Sequence, residues 1–272
     1  MFELELEKTD LRSTTPLPLM ERVERAYVET YGEHPTGGGW YKPDDWLRVS
    51  RVFDHMDKGG DVLDVGSGAG QFVNCLALSG EFSTVTTIDP TRFKKYMELS
   101  DDISRFDISI ADMKFADDSF DVVTCMEVLE HLPEEIFHAA IAELRRVCRG
   151  QLIITVPYRE PLPLSKTHVR RFEDADFATL FPHATFNLLM RPRMPWMAVE
   201  ERPHSWIDCA AAALGDDVTA AFARERDGLH ERIADLERHA AALAGRRSIR
   251  AANWVGKAGR RAIAGVRNAR GR

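Results

Sequence analysis

Between Val62 and Gly70 the chain reads V-L-D-V-G-S-G-A-G, an apolar run that ends in a carboxylate and then turns through three alternate glycines into a helical stretch. Glycines let a ligand approach the backbone, and the start of the following helix offers free N–H groups and a positive dipole end. Asp64, Gly66, Ser67, Gly68 and Gly70 are therefore candidate binding residues. A dinucleotide fingerprint runs G-x-G-x-x-G, whereas this turn runs G-x-G-x-G behind an acid, which disfavours a nicotinamide oxidoreductase. Asp89 closes the next apolar run, TVTTIDP, 19 residues after Gly70, where a strand tip brings its carboxylate within reach of ribose hydroxyls. Asp112 follows a third run in ISIADM, placed to accept a hydrogen bond from an adenine amino group while Met113 packs on the ring. One such aspartate reads as a cap. Three at consecutive strand tips read as a grip on an adenosine-like ligand.

A second constellation is Glu127-Val-Leu-Glu-His131. If this stretch forms a helical turn, Glu127, Glu130 and His131 share one face. With His168, from the later SKTHVRRF, they could hold a divalent ion such as Mg²⁺, Mn²⁺ or Zn²⁺. Alternatively His131 or His168 acts as a general base near neutral pH, with Glu127 facing the ligand. The plainest alternative makes Glu130 structural and His131 a cap.

These residues require a scaffold that lines up strand tips. From Asp61 to Pro157 short β-branched runs alternate with helical stretches, the pattern of a parallel sheet covered by helices. Strands are expected at 61–65, 84–88, 107–110, 120–125 and 151–156, with two late strands near 184–190 and 196–200; helices are expected at 19–31, 70–79, 91–99, 134–148 and 173–181. The fold expected is α/β, a Rossmann-like seven-stranded sheet with helices on both faces and a C-terminal helical extension. Four segments follow: 1–50, helical with a flap; 51–205, the ligand-binding domain; 206–245, a helical extension; and 246–272, a basic tail. The glycine-rich GEHPTGGGWYKP carries Trp40 and Tyr41 either as a mobile flap over a pocket or as a surface turn. Phe222, Leu229, Leu236 and Leu243 recur every seven residues, offering a homodimer seam or a helix that packs back on its own domain.

The motifs DVLDVGSGAG, IDP, ADMKFADDSFDVVTCMEVLEHL and LIITVPY, in that order, resemble those of class I S-adenosylmethionine-dependent methyltransferases, of the methyltransferase type 11 kind. VVTCMEVLEHL is similar to the corresponding region of ubiquinone-biosynthesis O-methyltransferases. The resemblance implies that Asp64, Gly66, Ser67, Gly68 and Gly70 surround the methionine part of S-adenosylmethionine, that Asp89 holds its ribose, and that Asp112 and Met113 hold its adenine, with Glu127 also facing the cofactor and S-adenosylhomocysteine as product. At Glu127, Glu130, His131 and His168 alone, the chain also resembles small-RNA methyltransferases that bind a metal through an E-x-x-E-H group and a later histidine.

Composition narrows the partners. At 272 residues, 44% apolar and 29% charged, the chain is ordinary for a globular protein. Its four cysteines form no CxxC pair, so a thiolate zinc site and a disulfide framework are not indicated. The formal charge of −7 conceals nine Lys/Arg and no acid in 246–272, which leaves −16 on residues 1–245, a poor surface for a nucleic-acid backbone. The tail is expected to be solubilising, or to touch an anionic membrane surface or acidic partner. The opening MFELELEKTDLRSTTPLPLM has no signal-peptide pattern, so a cytoplasmic location, peripheral to a membrane at most, is expected. The acceptor expected is a small-molecule hydroxyl on a sugar, glycan or glycolipid. The alternatives are a quinone-like phenol, an RNA terminus, or a non-catalytic cofactor-binding scaffold for a partner enzyme.

Overall fold

A computed structural model describes residues 4, 6–33, 43–191 and 194–203. Trp40 and Tyr41, the heptad positions and the basic tail lie outside the described residues. The described elements run β1 (Leu6–Asp10), α1 (Pro18–Tyr31), α2 (Pro43–His55), β2 (Asp61–Val65), α3 (Gln71–Ser79), β3 (Thr84–Ile88), β4 (Ile103–Phe106), β5 (Phe120–Met126), α4 (Glu134–Val147), β6 (Cys148–Pro157), α5 (Asp174–Leu180), β7 (Thr185–Met190) and β8 (Trp196–Glu201). They build one sheet of eight strands in the order β1-β7-β8-β6-β5-β2-β3-β4. Neighbours pair in parallel except β8, which runs antiparallel to β6 and β7.

The central strands are apolar and covered on both faces, as parallel strands must be. Helices α4 and α5 cover one face: Phe137, Ala140, Ile141, Leu144 and Phe177 pack with Leu63, Val65, Val123 and Ile154. Helices α1, α2 and α3 cover the other, where Val23, Tyr27, Val49, Phe53 and Phe72 pack with Val62, Val85, Val122 and Ile153. The chain leaves β2 for one face through α3 and leaves β5 for the opposite face through α4. Because β2 and β5 are neighbours, a crevice opens at their carboxyl ends.

The eighth strand is β1, which extends the sheet by pairing Leu6 with Phe186 and Asp10 with Met190. Its five residues are largely exposed, so the alternation expected of a half-buried strand is missing, and Glu7 and Lys8 protect the edge. Helix α2 is also additional to the expected elements. Strand β4 lies at 103–106, not 107–110: Ile103 and Phe106 pair with Val85 and Ile88, and 107–110 becomes the loop beyond the tip. The runs ISRF and ISI alternate equally well, and only pairing with β3 chooses between them.

Residues 91–99 form turns, not the expected helix, because their polar backbone groups are drawn toward α3. The Asn74 amide donates to the carbonyls of Gly70 (2.8 Å) and Met97 (2.7 Å), and its oxygen accepts the Leu99 N–H at 2.7 Å. Asn74 is fully buried, so replacing it with alanine strands these groups. Asn74→Ala is expected to lower unfolding free energy by about 1–3 kcal/mol in a urea titration.

Candidate functional site

The glycine turn lies at the mouth of the crevice. Gly66, Gly68 and Gly70 adopt φ of 88°, 51° and 88°, in the left-handed region. Space is denied as well: a Cβ on Gly66 would overlap Val128, and one on Gly70 would lie 2.7 Å from the Met97 carbonyl oxygen. The Asp89 carboxylate faces this turn, accepting the Gly68 N–H at 3.0 Å and the Thr91 N–H at 2.9 Å. The Ser67 hydroxyl is buried without a hydrogen-bond partner. Gly66, Gly68, Ile88, Asp89, Ile108 and Ile110 line one side of a cavity of about 390 Å³, and Glu127, Val128, His131 and Leu132 line the other.

Asp64 stands below the turn at the end of β2, buried, with the Thr124 hydroxyl donating to it at 2.9 Å. Burial pushes its pKa up to about 7, and the nearby Asp89 charge acts in the same sense. The expected adenine pair is placed differently. The Asp112 carboxylate is exposed and pairs with Lys114 at 2.6 Å, while Met113 is buried and its N–H donates to Glu143 at 3.0 Å. Neither lines the cavity; Ile108 and Ile110 do, because β4 ends at Phe106 and the loop crosses the crevice earlier than expected.

Glu127 follows β5 with φ 57°, a conformation that non-glycine residues rarely adopt. This twist and the single 3₁₀ turn at Leu129–His131 separate residues that one helical face would have joined. The Glu127 carboxylate turns toward the sheet: Trp196 Nε1–H donates to it at 2.8 Å, the Thr155 hydroxyl at 3.2 Å, and Arg48 Nη1 stands 3.4 Å away. Arg48, 1% exposed, also donates to Thr155 at 2.7 Å and lies over the Trp196 ring. Burial raises the pKa of Glu127, and Arg48 opposes that rise.

On the other side of the turn, Glu130 is 1% exposed and neither carboxylate oxygen has a hydrogen-bond partner. Burial, then the Glu127 charge, push its pKa well above the usual carboxylate range. His131 Nε2 lies 4.0 Å from its Oε1, and the His131 and His168 rings meet edge to face at 4.8 Å between centroids. Each imidazole is held from behind. His131 Nδ1 lies 2.9 Å from the Thr167 carbonyl and His168 Nδ1 lies 2.6 Å from Glu160 Oε2. Glu160 in turn accepts the Ser165 N–H at 3.0 Å and its hydroxyl at 2.8 Å. Burial raises the Glu160 pKa, but the bonds from His168 and Ser165 together outweigh it and hold the group below its ordinary value. The Val169 N–H donates to the Glu130 carbonyl at 2.9 Å, tying the 160–170 loop to the turn.

Residues 63–154, the stretch from the end of β2 through most of β6, match the family described as a methyltransferase domain. The chain carries an S-adenosylmethionine-dependent methyltransferase domain. It is 29% identical over 188 residues to the ubiquinone biosynthesis O-methyltransferase of Azotobacter vinelandii, covering 63% of this chain and 73% of that one. To the protein described in the same words from Pseudomonas syringae pv. tomato it is 31% identical over 159 residues, covering 54% and 65%. Among solved structures, a Pyrococcus horikoshii protein superposes with a TM-score of 0.47 at 17% identity, covering 63% of this chain and 97% of that one.

Three features of the methyltransferase site escaped sequence reasoning: Arg48 and Trp196, which flank Glu127, and Glu160, which orients His168. Arg48 precedes Glu127 by 79 residues and Trp196 follows it by 69, so nothing local joins them. Glu160, eight residues before His168, is the one with a local signal.

The Asp64 shift has a testable sign. A carboxyl whose pKa is raised in the folded state contributes stability that is fully present below its unfolded pKa and is lost as pH rises through the folded one. In the protein without ligand, Asp64→Asn should therefore gain stability relative to the wild type by about 1.4 kcal/mol per pH unit between pH ~4 and ~7, then level off. Urea unfolding of both proteins across that range measures the difference; a constant difference would refute it.

Proposed function

We propose that this chain transfers the methyl group of S-adenosylmethionine to a hydroxyl oxygen of a small molecule, and that the acceptor is a quinone-like phenol. One observation carries the reading: the crevice lined by the glycine turn and Asp89 also contains His131, whose Nε2 is bare while Nδ1 is occupied. In this arrangement Gly66, Ser67, Gly68, Gly70, Asp64 and Glu127 would surround the methionine part of the cofactor. Asp89 would bond the ribose hydroxyls, and Ile108 and Ile110 would sandwich the adenine in place of Asp112 and Met113. The phenol is supported by the two relatives, both ubiquinone biosynthesis O-methyltransferases. A sugar, glycan or glycolipid acceptor was expected from charge balance and the 246–272 tail, and the tail lies outside the described residues.

A methyl on a sulfonium is already activated for displacement. The protein's task is to align the acceptor oxygen opposite the leaving sulfur and to keep water out. Alignment of this kind supplies ~7–11 kcal/mol, whereas removal of the hydroxyl proton contributes ~10²- to 10⁴-fold in rate, so positioning outranks proton transfer. Either His131 or His168 receives the acceptor's proton through Nε2, each having Nδ1 held.

The test supplies methyl-labelled S-adenosylmethionine with a catechol or hydroquinone panel, free sugars and glycolipids, and RNA oligomers. Labelled phenol ethers support the proposal. Label on sugars or RNA only, or binding without turnover on any acceptor, overturns it. In the same assay, His131→Ala and His168→Ala should lower turnover by 10²-fold or more, about the share of a general base, with cofactor affinity changed far less. Asp89→Ala should instead weaken S-adenosylhomocysteine binding first, measured by calorimetry, and the opposite ranking would contradict these roles.

A further inference from the structure

A second hollow, of about 530 Å³, lies away from the crevice and shares none of its described lining residues. Its wall is α2, through Arg51, Val52 and His55, and its floor is the sheet. Side chains on one face of a sheet fall into rows across paired strands. One such row runs from Ala198 on β8 to Asn187 on β7 and Glu7 on β1, with Ile153 and Leu189 among the apolar residues beside it. Ala198 supplies only a methyl group at the middle of this floor, which leaves the space that α2 does not fill.

The polar groups around this floor are unevenly answered. Glu200 has three partners: Gln151 Nε2–H donates to it at 2.9 Å, Arg202 Nη2–H at 3.0 Å, and His55 Nε2 lies 2.6 Å away. Glu7 accepts the Asn187 amide at 3.1 Å. Arg51 is half-buried and makes no ion pair or hydrogen bond with any described residue. Asn187 Oδ1 is buried without a partner, and the bond from Nδ2 to Glu7 fixes which end of the amide it is. A guanidinium without an anion and a carbonyl oxygen without a donor therefore face one apolar floor, and leaving either unanswered when the floor is covered is costly.

We propose that this hollow is a second small-molecule site, for a planar organic acid that also carries an N–H or O–H donor. Arg51 takes the carboxylate, for which its planar fork is suited. Asn187 Oδ1 takes the donor, and the ring lies on Ala198 between Val52, Ile153 and Leu189. The size of the hollow and its few polar groups over an apolar floor are those of a ligand pocket. The two acids on its lining do not repel such an occupant as free charges would, because His55, Gln151 and Arg202 engage Glu200 and Asn187 engages Glu7. The site is independent of methyl transfer: Asp89, Glu127 and His131 line the other cavity.

The experiment titrates the full chain with indole-3-propionate by calorimetry, with and without saturating S-adenosylhomocysteine. Tryptophol, which lacks the charge, and N-methylindole-3-propionate, which lacks the donor, are the comparison probes. The expected result is one indole-3-propionate per chain, bound alike in both conditions, with each comparison probe weaker. Arg51→Ala should weaken the acid by at least tenfold, the share of a charge-assisted hydrogen bond, and leave tryptophol unchanged. Ala198→Phe, which fills the floor, should abolish binding of all three, with circular dichroism and S-adenosylhomocysteine affinity as checks that each variant is folded. No saturable binding overturns the proposal. So does a probe that S-adenosylhomocysteine displaces, which places it in the crevice, or an affinity that Arg51→Ala leaves intact. Light scattering on the same samples that shows a dimer excluding the probe also overturns it, since a second copy would then cover the hollow.

Discussion

A carboxylate removed from water must find a partner or take up a proton, and the carboxyl-terminal edge of this sheet gathers four of them: Asp64, Asp89, Glu127 and Glu130. Each meets the demand differently. Asp89 accepts two backbone N–H groups, from Gly68 and Thr91. Glu127 is answered by Arg48, itself buried, and by the indole of Trp196. Asp64 receives only the Thr124 hydroxyl, and Glu130 receives no hydrogen bond, so both sit well above the ordinary carboxylate range. Carboxyl groups that burial keeps protonated ionise when a cation comes beside them, so such a site is prepared for cationic ligands. The sulfonium and ammonium of S-adenosylmethionine are cations of that kind.

The fold produces this concentration by topology. Strands β2 and β5 are neighbours whose following helices leave to opposite faces, so a crevice opens at their tips. The glycine turn after β2 then brings backbone close to any occupant, and the positive φ of Glu127 sends the chain across the opening. Val128, packed so near Gly66 that no side chain fits there, joins the two halves of the crevice. Beyond it the 3₁₀ turn and the 160–170 loop bring Glu130, His131 and His168 together.

Much of this was legible in the residues. Strands β2, β3, β5 and β6 are near-continuous apolar runs, because both faces are covered, and such short runs between turn signals point to buried parallel strands. The glycine spacing and Asp89 indicated the turn and its partner. Elements whose placement depends on distant pairing were less legible. Strand β4 could have been either of two alternating runs, and the cavity lining moved with it, to Ile108 and Ile110 in place of Asp112 and Met113. Edge strand β1 carries almost no burial to imprint a pattern. Helix α2 had a readable stripe in Trp46, Val49, Val52 and Phe53, overshadowed by the glycine-rich segment before it. At the site, E-x-x-E-H spacing suggested Glu127, Glu130 and His131 on one helical face, whereas the backbone twist at Glu127 turns its carboxylate away from the other two. No local pattern could have shown that Arg48 and Trp196 engage Glu127.

The central claim is that the crevice between β2 and β5 holds S-adenosylmethionine in one orientation, and a crystal structure of the full chain with S-adenosylhomocysteine tests it most directly. The account predicts density for the ligand against the Gly66–Gly70 turn, ribose hydroxyls on Asp89, adenine between the Ile88 and Ile108–Ile110 side chains, and sulfur directed toward Glu127 and His131. Ligand density elsewhere in the molecule, or adenine seated on Asp112 and Met113 with Ile108 and Ile110 turned away, would contradict it.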